Sequence, residues 1–160
     1  GLLYVRRDKI AGLWPLMAAT EAQDGDIRKF EDVGTHPAAN TLAVAEALTV
    51  HQALQPARKE ARLVYLLDYW AERLLEKDRV SLNTSLEPGL ACGLANDHVE
   101  GVATNQLQSH LWRAHKIYTT PINHDEFNGL RISPSVYTTL EELDRFVDAV
   151  EAVLRNGLPT

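Results

Sequence analysis

A long amphipathic helix in the middle of the chain places the strongest constraint on its fold. Between residues 57 and 77, apolar side chains recur at the spacing that gathers them on one face of a helix, namely Leu63, Leu66, Leu67, Trp70 and Leu74. Such a face must be buried against a second layer of structure. Residues 38–54 are predicted to form the preceding helix, and Pro56 separates the two.

The hydrophobic period changes after this helix to the spacing of strands. The elements predicted from residue 80 onwards are strands at 80–83, 90–97, 116–120 and 130–133 and a helix at 103–114. A final helix follows Thr139, which forms a capping box with Glu142. This order predicts an α+β fold of two layers: a small, mostly antiparallel sheet with helices on one face.

The N-terminal part has a different character. The apolar run at 2–5 predicts a short buried strand, and residues 8–19 are weakly helical. Residues 20–37 are polar and contain Gly25, Gly34 and Pro37, which predicts a long connection. Long connections in compact domains are often functional.

The charge balance narrows the possible partners. The net charge is −6, and phosphate backbones require a basic surface, so we expect no nucleic-acid partner. The close basic pairs, Arg6-Arg7 and Arg28-Lys29, are predicted to lie at solvated ends of elements. No apolar run approaches the roughly 18 residues that a membrane span needs, so we expect no membrane partner. The compartment is left open, with the cytoplasm favoured and an exported form not excluded.

Arg131 is the first candidate for a functional role. In LRIS at 130–133, Leu130 and Ile132 point to one side of the predicted strand, and Arg131 to the other, away from the core. A guanidinium can bind a carboxylate through two parallel hydrogen bonds. From the pattern alone, a surface arginine on a half-exposed sheet is the alternative.

VGTHPAAN at 33–40 is the second candidate. A glycine and a hydroxyl before a helix, here Gly34 and Thr35, suit a bound phosphate. The alternative is that Thr35 only caps the following helix. A third candidate is His124, in a loop beside Arg131 with two acidic residues, which could hold a general base or could simply be solvated.

The histidines and the single cysteine give weaker indications of a function. The histidines form no HExxH pattern and have no CxxC partner, so we expect no metal site. Cys92 is the single cysteine, so an intrachain disulfide is excluded. It is predicted to be an inert core thiol on the strand at 90–97.

Taken in order, four segments resemble a known family: GLLYVRRDKI, KFEDVGTHPAAN, AVAEALTVHQAL and GLRISPSVYTTLEELDRFVDAV. The chain resembles the C-terminal part of class V aminotransferase-fold enzymes, which are fold-type I enzymes dependent on pyridoxal 5'-phosphate, and within them the isopenicillin N epimerase-like branch. The resemblance implies that residues 1–37 are a last strand and linker of a large domain. Residues 38–160 would then be the C-terminal small domain.

The resemblance also implies roles for the candidates. Arg131 would bind the α-carboxylate of an amino-acid substrate, Gly34 and Thr35 would contact the cofactor phosphate across a homodimer interface, and His124 would shape the substrate pocket. No catalytic residue is expected in this chain. The Schiff-base lysine of the family stands in an S-x-H-K motif, and no lysine here does, so we expect the chain alone to be inactive.

Several reactions remain open within that resemblance: transamination, epimerisation and C–S bond cleavage. Related cysteine desulfurases carry a cysteine in the loop before the arginine strand. The corresponding TPINHDEFNG has none, which disfavours that chemistry. The alternative from another class is a non-catalytic α+β interaction domain, or a subunit of a split protein that pairs with a large cofactor-binding domain.

Overall fold

The computed structural model describes residues 2–159, and the chain divides into two compact units. The first unit extends to Thr49 and the second starts at Val50, so the boundary lies within the first α-helix, α1 (Ala38–Ala53). This helix agrees with the prediction at 38–54. No described residue of α1 is buried, so its apolar side chains are not part of a core in this chain.

The first unit is built from short 3₁₀ segments at Arg7–Gly12, Glu21–Gln23 and Ile27–Phe30. The strand predicted at residues 2–5 does not form, and Leu2 and Tyr4 are exposed. A strand needs a hydrogen-bonded neighbour, and none of the described strands pairs with this segment.

Lys29 organises the first unit, and the prediction that it is solvated is wrong. Its side chain is only 2% exposed. The ammonium donates hydrogen bonds to the carbonyl oxygen of Ile10 at 2.7 Å and to that of Asp24 at 2.8 Å, and lies 3.3 Å from the Asp24 carboxylate. A buried ammonium needs such partners, and they link the third 3₁₀ segment to the first and to the residue that follows the second. Its neighbour Arg28 is exposed, as predicted.

The second unit contains a four-stranded sheet of β1 (Val80–Leu82), β2 (Ala95–Val99), β3 (Thr120–Asn123) and β4 (Asn128–Ile132). All neighbours are antiparallel, and the strand order is β1-β2-β4-β3. The register places Asn96 opposite Arg131, and Arg131 opposite Thr120.

Three helices cover one face of this sheet: α2 (Pro56–Leu75), α3 (Thr104–His115) and α4 (Leu140–Asn156). Side chains from these helices and from the inner face of the strands form one core, in which Trp70 packs edge-to-face on Phe146 at 5.7 Å. The capping box predicted for Thr139 and Glu142 is present. The predicted two-layer α+β fold is therefore confirmed. No helix among residues 2–159 is long and apolar enough to cross a membrane.

Two strands begin later in the chain than predicted. The strand predicted at 90–97 starts only at Ala95, because the preceding residues form turns and Gly93 lies directly against Leu63 of α2. The strand predicted at 116–120 starts at Thr120 and includes Pro121. Proline has no N–H to donate, and this one is tolerated because β3 is an edge strand.

Candidate functional site

Arg131 lies on the outer face of the sheet, which is the face opposite the helices. Its neighbours Leu130 and Ile132 are buried in the core, whereas Arg131 is exposed, as the alternation predicts. Its Nη2 donates a hydrogen bond to the Thr120 hydroxyl at 3.2 Å. Among residues 2–159, no carboxylate lies within ion-pair distance of this guanidinium. The strand therefore presents an oriented cation with capacity for an external anion.

A polar residue that the sequence did not single out lies beside Arg131 on the neighbouring strand. Asn96, opposite Arg131 on β2, is only 7% exposed. Its Oδ1 accepts a hydrogen bond from Asn83 at 2.6 Å, and its own Nδ2 is buried without a partner in the described chain. The sequence gives one signal for Asn96, since an amide interrupts the small apolar run before Asp97.

Gly129 brings strand β4 into close contact with β2. Its φ is +151°, and a Cβ at this position would lie 2.1 Å from the carbonyl oxygen of Asp97 and 2.7 Å from Oδ1 of Asn96. Only glycine fits this conformation and this approach. The same bend brings the carbonyl oxygen of Asn128 within 3.0 Å of the Asn83 amide. The glycine that opens GLRIS is therefore required by the structure just before the arginine.

Asp97 lies on the inner face of β2, among the core residues. It is 1% exposed, and neither carboxylate oxygen forms a hydrogen bond within residues 2–159. Burial raises the pKa of Asp97 from its ordinary value of 3.8 to about 7, although the nearby backbone N–H groups of Asp97 and Leu130 oppose the shift. The sequence did not single out Asp97, which was predicted as the last residue of the strand at 90–97.

His124 lies at the tip of the β3–β4 hairpin. Its Nδ1 accepts a hydrogen bond from the backbone N–H of Glu126 at 3.2 Å, and its ring stacks on Phe127 with centroids 5.4 Å apart. Strand β4 begins at Asn128, and Arg131 lies three residues further along it, which is roughly 10 Å at about 3.3 Å per residue. His124 and Arg131 therefore lie on one hairpin but are separated along its length.

Gly34 and Thr35 lie in the first unit, ahead of α1. Gly34 has a φ of +100° and no heavy atom within 4 Å of an added Cβ. The interpretation of Thr35 as a plain helix cap is not supported, because α1 begins at Ala38 and the Thr35 hydroxyl makes no hydrogen bond within residues 2–159. This segment is exposed and its polar groups are available.

Cys92 is exposed in the bend before β2, so its assignment to a strand and a core was wrong. The strand begins three residues later, which leaves the thiol outside the sheet. In the part of the chain that the structure describes, no group of three or more metal-binding side chains occurs.

The chain is similar to known proteins over most of its length. No protein-family model matches the chain. Over 128 residues, or 79% of the chain, it is 30% identical to the isopenicillin N epimerase of Streptomyces clavuligerus, of which it spans 32%. Its fold matches the cysteine desulfurase CsdA of Escherichia coli with a TM-score of 0.64, at 18% identity, over 78% of this chain and 32% of that one.

The resemblance to the class V aminotransferase fold is confirmed. The chain spans about a third of the length of each of these relatives and corresponds to a C-terminal part. The similarity points to enzymes of the class that depends on pyridoxal phosphate. At 18% identity, the likeness to the desulfurase concerns the fold alone.

Proposed function

We propose that this chain is the C-terminal part of an enzyme that uses pyridoxal phosphate to act on an amino acid, and that Arg131 binds the substrate α-carboxylate. One observation carries the proposal: an exposed guanidinium on a sheet strand, oriented by Thr120 and without a carboxylate partner in the described chain. The similarity to isopenicillin N epimerase over 79% of the chain supports it.

The location of Arg131 suits the binding of a carboxylate. Its backbone is fixed on both sides, because β4 is an inner strand paired with β2 and β3. The Thr120 hydroxyl occupies one N–H of the guanidinium, which leaves further N–H groups for two parallel hydrogen bonds to a carboxylate. A substrate held in this way is restricted in both position and rotation, which favours reaction at its α-carbon.

Gly34 and Thr35 fit a phosphate group. Their backbone N–H groups and the Thr35 hydroxyl have no acceptor among residues 2–159, and the open surroundings of Gly34 leave room for a ligand. We propose that they hold the cofactor phosphate in a homodimer, on the partner subunit. Pyridoxal phosphate would supply an electron sink for the breaking of a bond at the substrate α-carbon.

His124 is proposed to line the substrate pocket. The imidazole is exposed at the hairpin tip, with Nδ1 held by a backbone N–H. Its other nitrogen is then free to meet a polar group of the substrate. This role concerns substrate recognition and not bond breaking.

We propose a reaction of the transaminase, epimerase or C–S lyase type, because all three types use the same cofactor to break a bond at the substrate α-carbon. Persulfide chemistry of the desulfurase kind is disfavoured, because the hairpin that carries His124 has no cysteine. We also propose that the 160-residue chain alone is inactive. The reason is that no lysine of the chain stands in an S-x-H-K motif like that of the family's Schiff-base lysine.

The test of Arg131 uses the complete enzyme. Arg131→Lys keeps the charge and removes the paired hydrogen bonds, so KM for the amino acid should rise about 10- to 100-fold while the absorbance of the bound cofactor is unchanged. Arg113→Lys, at an exposed position on α3, is the matched control. Unchanged KM in Arg131→Lys would return Arg131 to the role of a surface residue.

The phosphate contact is tested separately by titration of the cofactor. Thr35→Ala should weaken pyridoxal phosphate binding about 10-fold, and Thr35→Ser should restore it, because only the hydroxyl is needed. An unaltered affinity in Thr35→Ala would refute the role of Thr35 and leave the proposal for Arg131 standing.

A further inference from the structure

A cavity of about 260 Å³ opens on the second unit, between the segment that precedes β3, the end of β4 and the first turns of α4. Arg131 does not line it, and neither do Gly34, Thr35 or His124. It is therefore a separate feature from the site proposed above. Its lining combines apolar, aromatic, basic and hydroxyl groups, which is the mixture typical of small-molecule sites.

The apolar part of the lining belongs to the core. Ile132, Leu143 and Phe146 form it, and all three are buried side chains of the main cluster. Two tyrosines, Tyr118 and Tyr137, stand at the rim and are 75% and 82% exposed. Large aromatic side chains that remain this exposed offer a surface for the flat or branched body of a ligand.

A buried hydroxyl also lines the cavity. Thr119 is 5% exposed, and its Oγ1 has no hydrogen-bond partner in the described chain. A buried hydroxyl without a partner destabilises the folded state, and rotation of the Thr119 side chain would let a bound ligand oxygen satisfy it. A hydroxyl can donate a hydrogen bond to a carboxylate.

Two cations at the cavity lack an acidic partner. Lys116 bonds only the carbonyl oxygen of Arg113, and Arg145 that of His115, and no ion pair within residues 2–159 involves either of them. Glu142 is the acidic residue of the lining, and its carboxylate accepts hydrogen bonds from the backbone and hydroxyl of Thr139. The charge left open at the cavity is thus positive.

We propose that this cavity binds a small organic carboxylate with an aromatic or branched apolar body. Its carboxylate would meet Lys116, Arg145 and the Thr119 hydroxyl, and its body would lie against Phe146 and the rim tyrosines. The two unpaired cations disfavour a cationic ligand, and the core-lined wall disfavours inorganic phosphate, which has no apolar part to cover it. The proposal does not rest on pyridoxal phosphate chemistry.

The probe for this site is phenylacetate, titrated into the isotopically labelled protein and followed through backbone amide NMR shifts. We expect saturable shifts confined to residues 116–119 and 132–146. Phenylacetamide has the same shape without the charge and should bind at least about 10-fold more weakly. Inorganic phosphate should give no saturable shift at these residues.

Matched variants assign the binding to individual side chains. Arg145→Gln and Thr119→Val should each weaken phenylacetate binding about 5- to 10-fold, whereas Arg155→Gln, an exposed arginine further along α4, should leave it unchanged. Lys116→Asn provides an independent removal of charge, since asparagine tolerates the left-handed backbone of this position, with φ of +59°.

Three results would overturn the proposal. Equal affinity for phenylacetate and phenylacetamide would show that the cations do not select the ligand. An absence of saturable shifts up to the solubility of the probe would show that the cavity binds no ligand of this class. Undiminished binding in both Arg145→Gln and Lys116→Asn would place the carboxylate elsewhere.

Discussion

Asp97→Asn should remove a pH dependence from the folding stability of this chain. In the unfolded chain the Asp97 carboxyl ionises at its ordinary pKa of 3.8, whereas burial raises the pKa in the folded chain to about 7. Between these values the folded state holds a proton that the unfolded state has lost. The free energy of unfolding must therefore fall as the pH rises through this window.

The size of the effect follows from the separation of the two pKa values. One pKa unit corresponds to about 1.4 kcal/mol, so a difference of about 3 units lowers the free energy of unfolding by roughly 4 kcal/mol between pH 4 and pH 8. Asparagine has nearly the same shape and carries no ionisable proton. Near pH 4 the two proteins should have similar stability, and near pH 8 Asp97→Asn should be the more stable by most of this amount.

Urea denaturation at a series of pH values measures this directly, with tryptophan fluorescence as the signal, since unfolding exposes the buried Trp70. Asp125→Asn, at an exposed position in the β3–β4 hairpin, is the matched control and should keep the pH dependence of the unsubstituted chain. Stability curves of the unsubstituted chain and Asp97→Asn that run parallel across the whole range would refute the reasoning. They would mean that the Asp97 carboxylate finds a partner or water in the folded state.

Two further predictions concern residues that the fold requires. Gly129→Ala should lower the free energy of unfolding, measured by urea denaturation, by at least about 2 kcal/mol, because the added Cβ would lie 2.1 Å from a backbone carbonyl oxygen. The control Gly12→Ala has open space around the added Cβ and should change the free energy of unfolding little. Similar midpoints for both would contradict the close approach of the strands. Lys29→Met should raise the rate of amide hydrogen exchange about 10-fold or more across residues 7–30, because the carbonyl oxygens of Ile10 and Asp24 lose their hydrogen-bond donor. Arg28→Met, at an exposed position, should leave this rate unchanged. Equal exchange in both variants would refute the role of the buried ammonium.

The candidate site was only partly readable from the sequence. The alternation in LRIS correctly predicted that Arg131 faces away from the core, and the resemblance to the class V aminotransferase fold singled it out. Its neighbours Asn96 and Thr120 could not be predicted, because they come from strands that are distant in sequence. Only the register of β2, β4 and β3 sets them beside the arginine.

The sequence by itself determined the helices of the second unit. The apolar spacing in α2 and the capping box of Thr139 act within a few residues, so their signals do not depend on the rest of the chain. The tertiary structure decided the strand ends, the burial of Lys29 and Asp97, and the need for glycine at position 129. These features depend on which distant backbone lies alongside, and neither local propensity nor hydrophobic period encodes that contact.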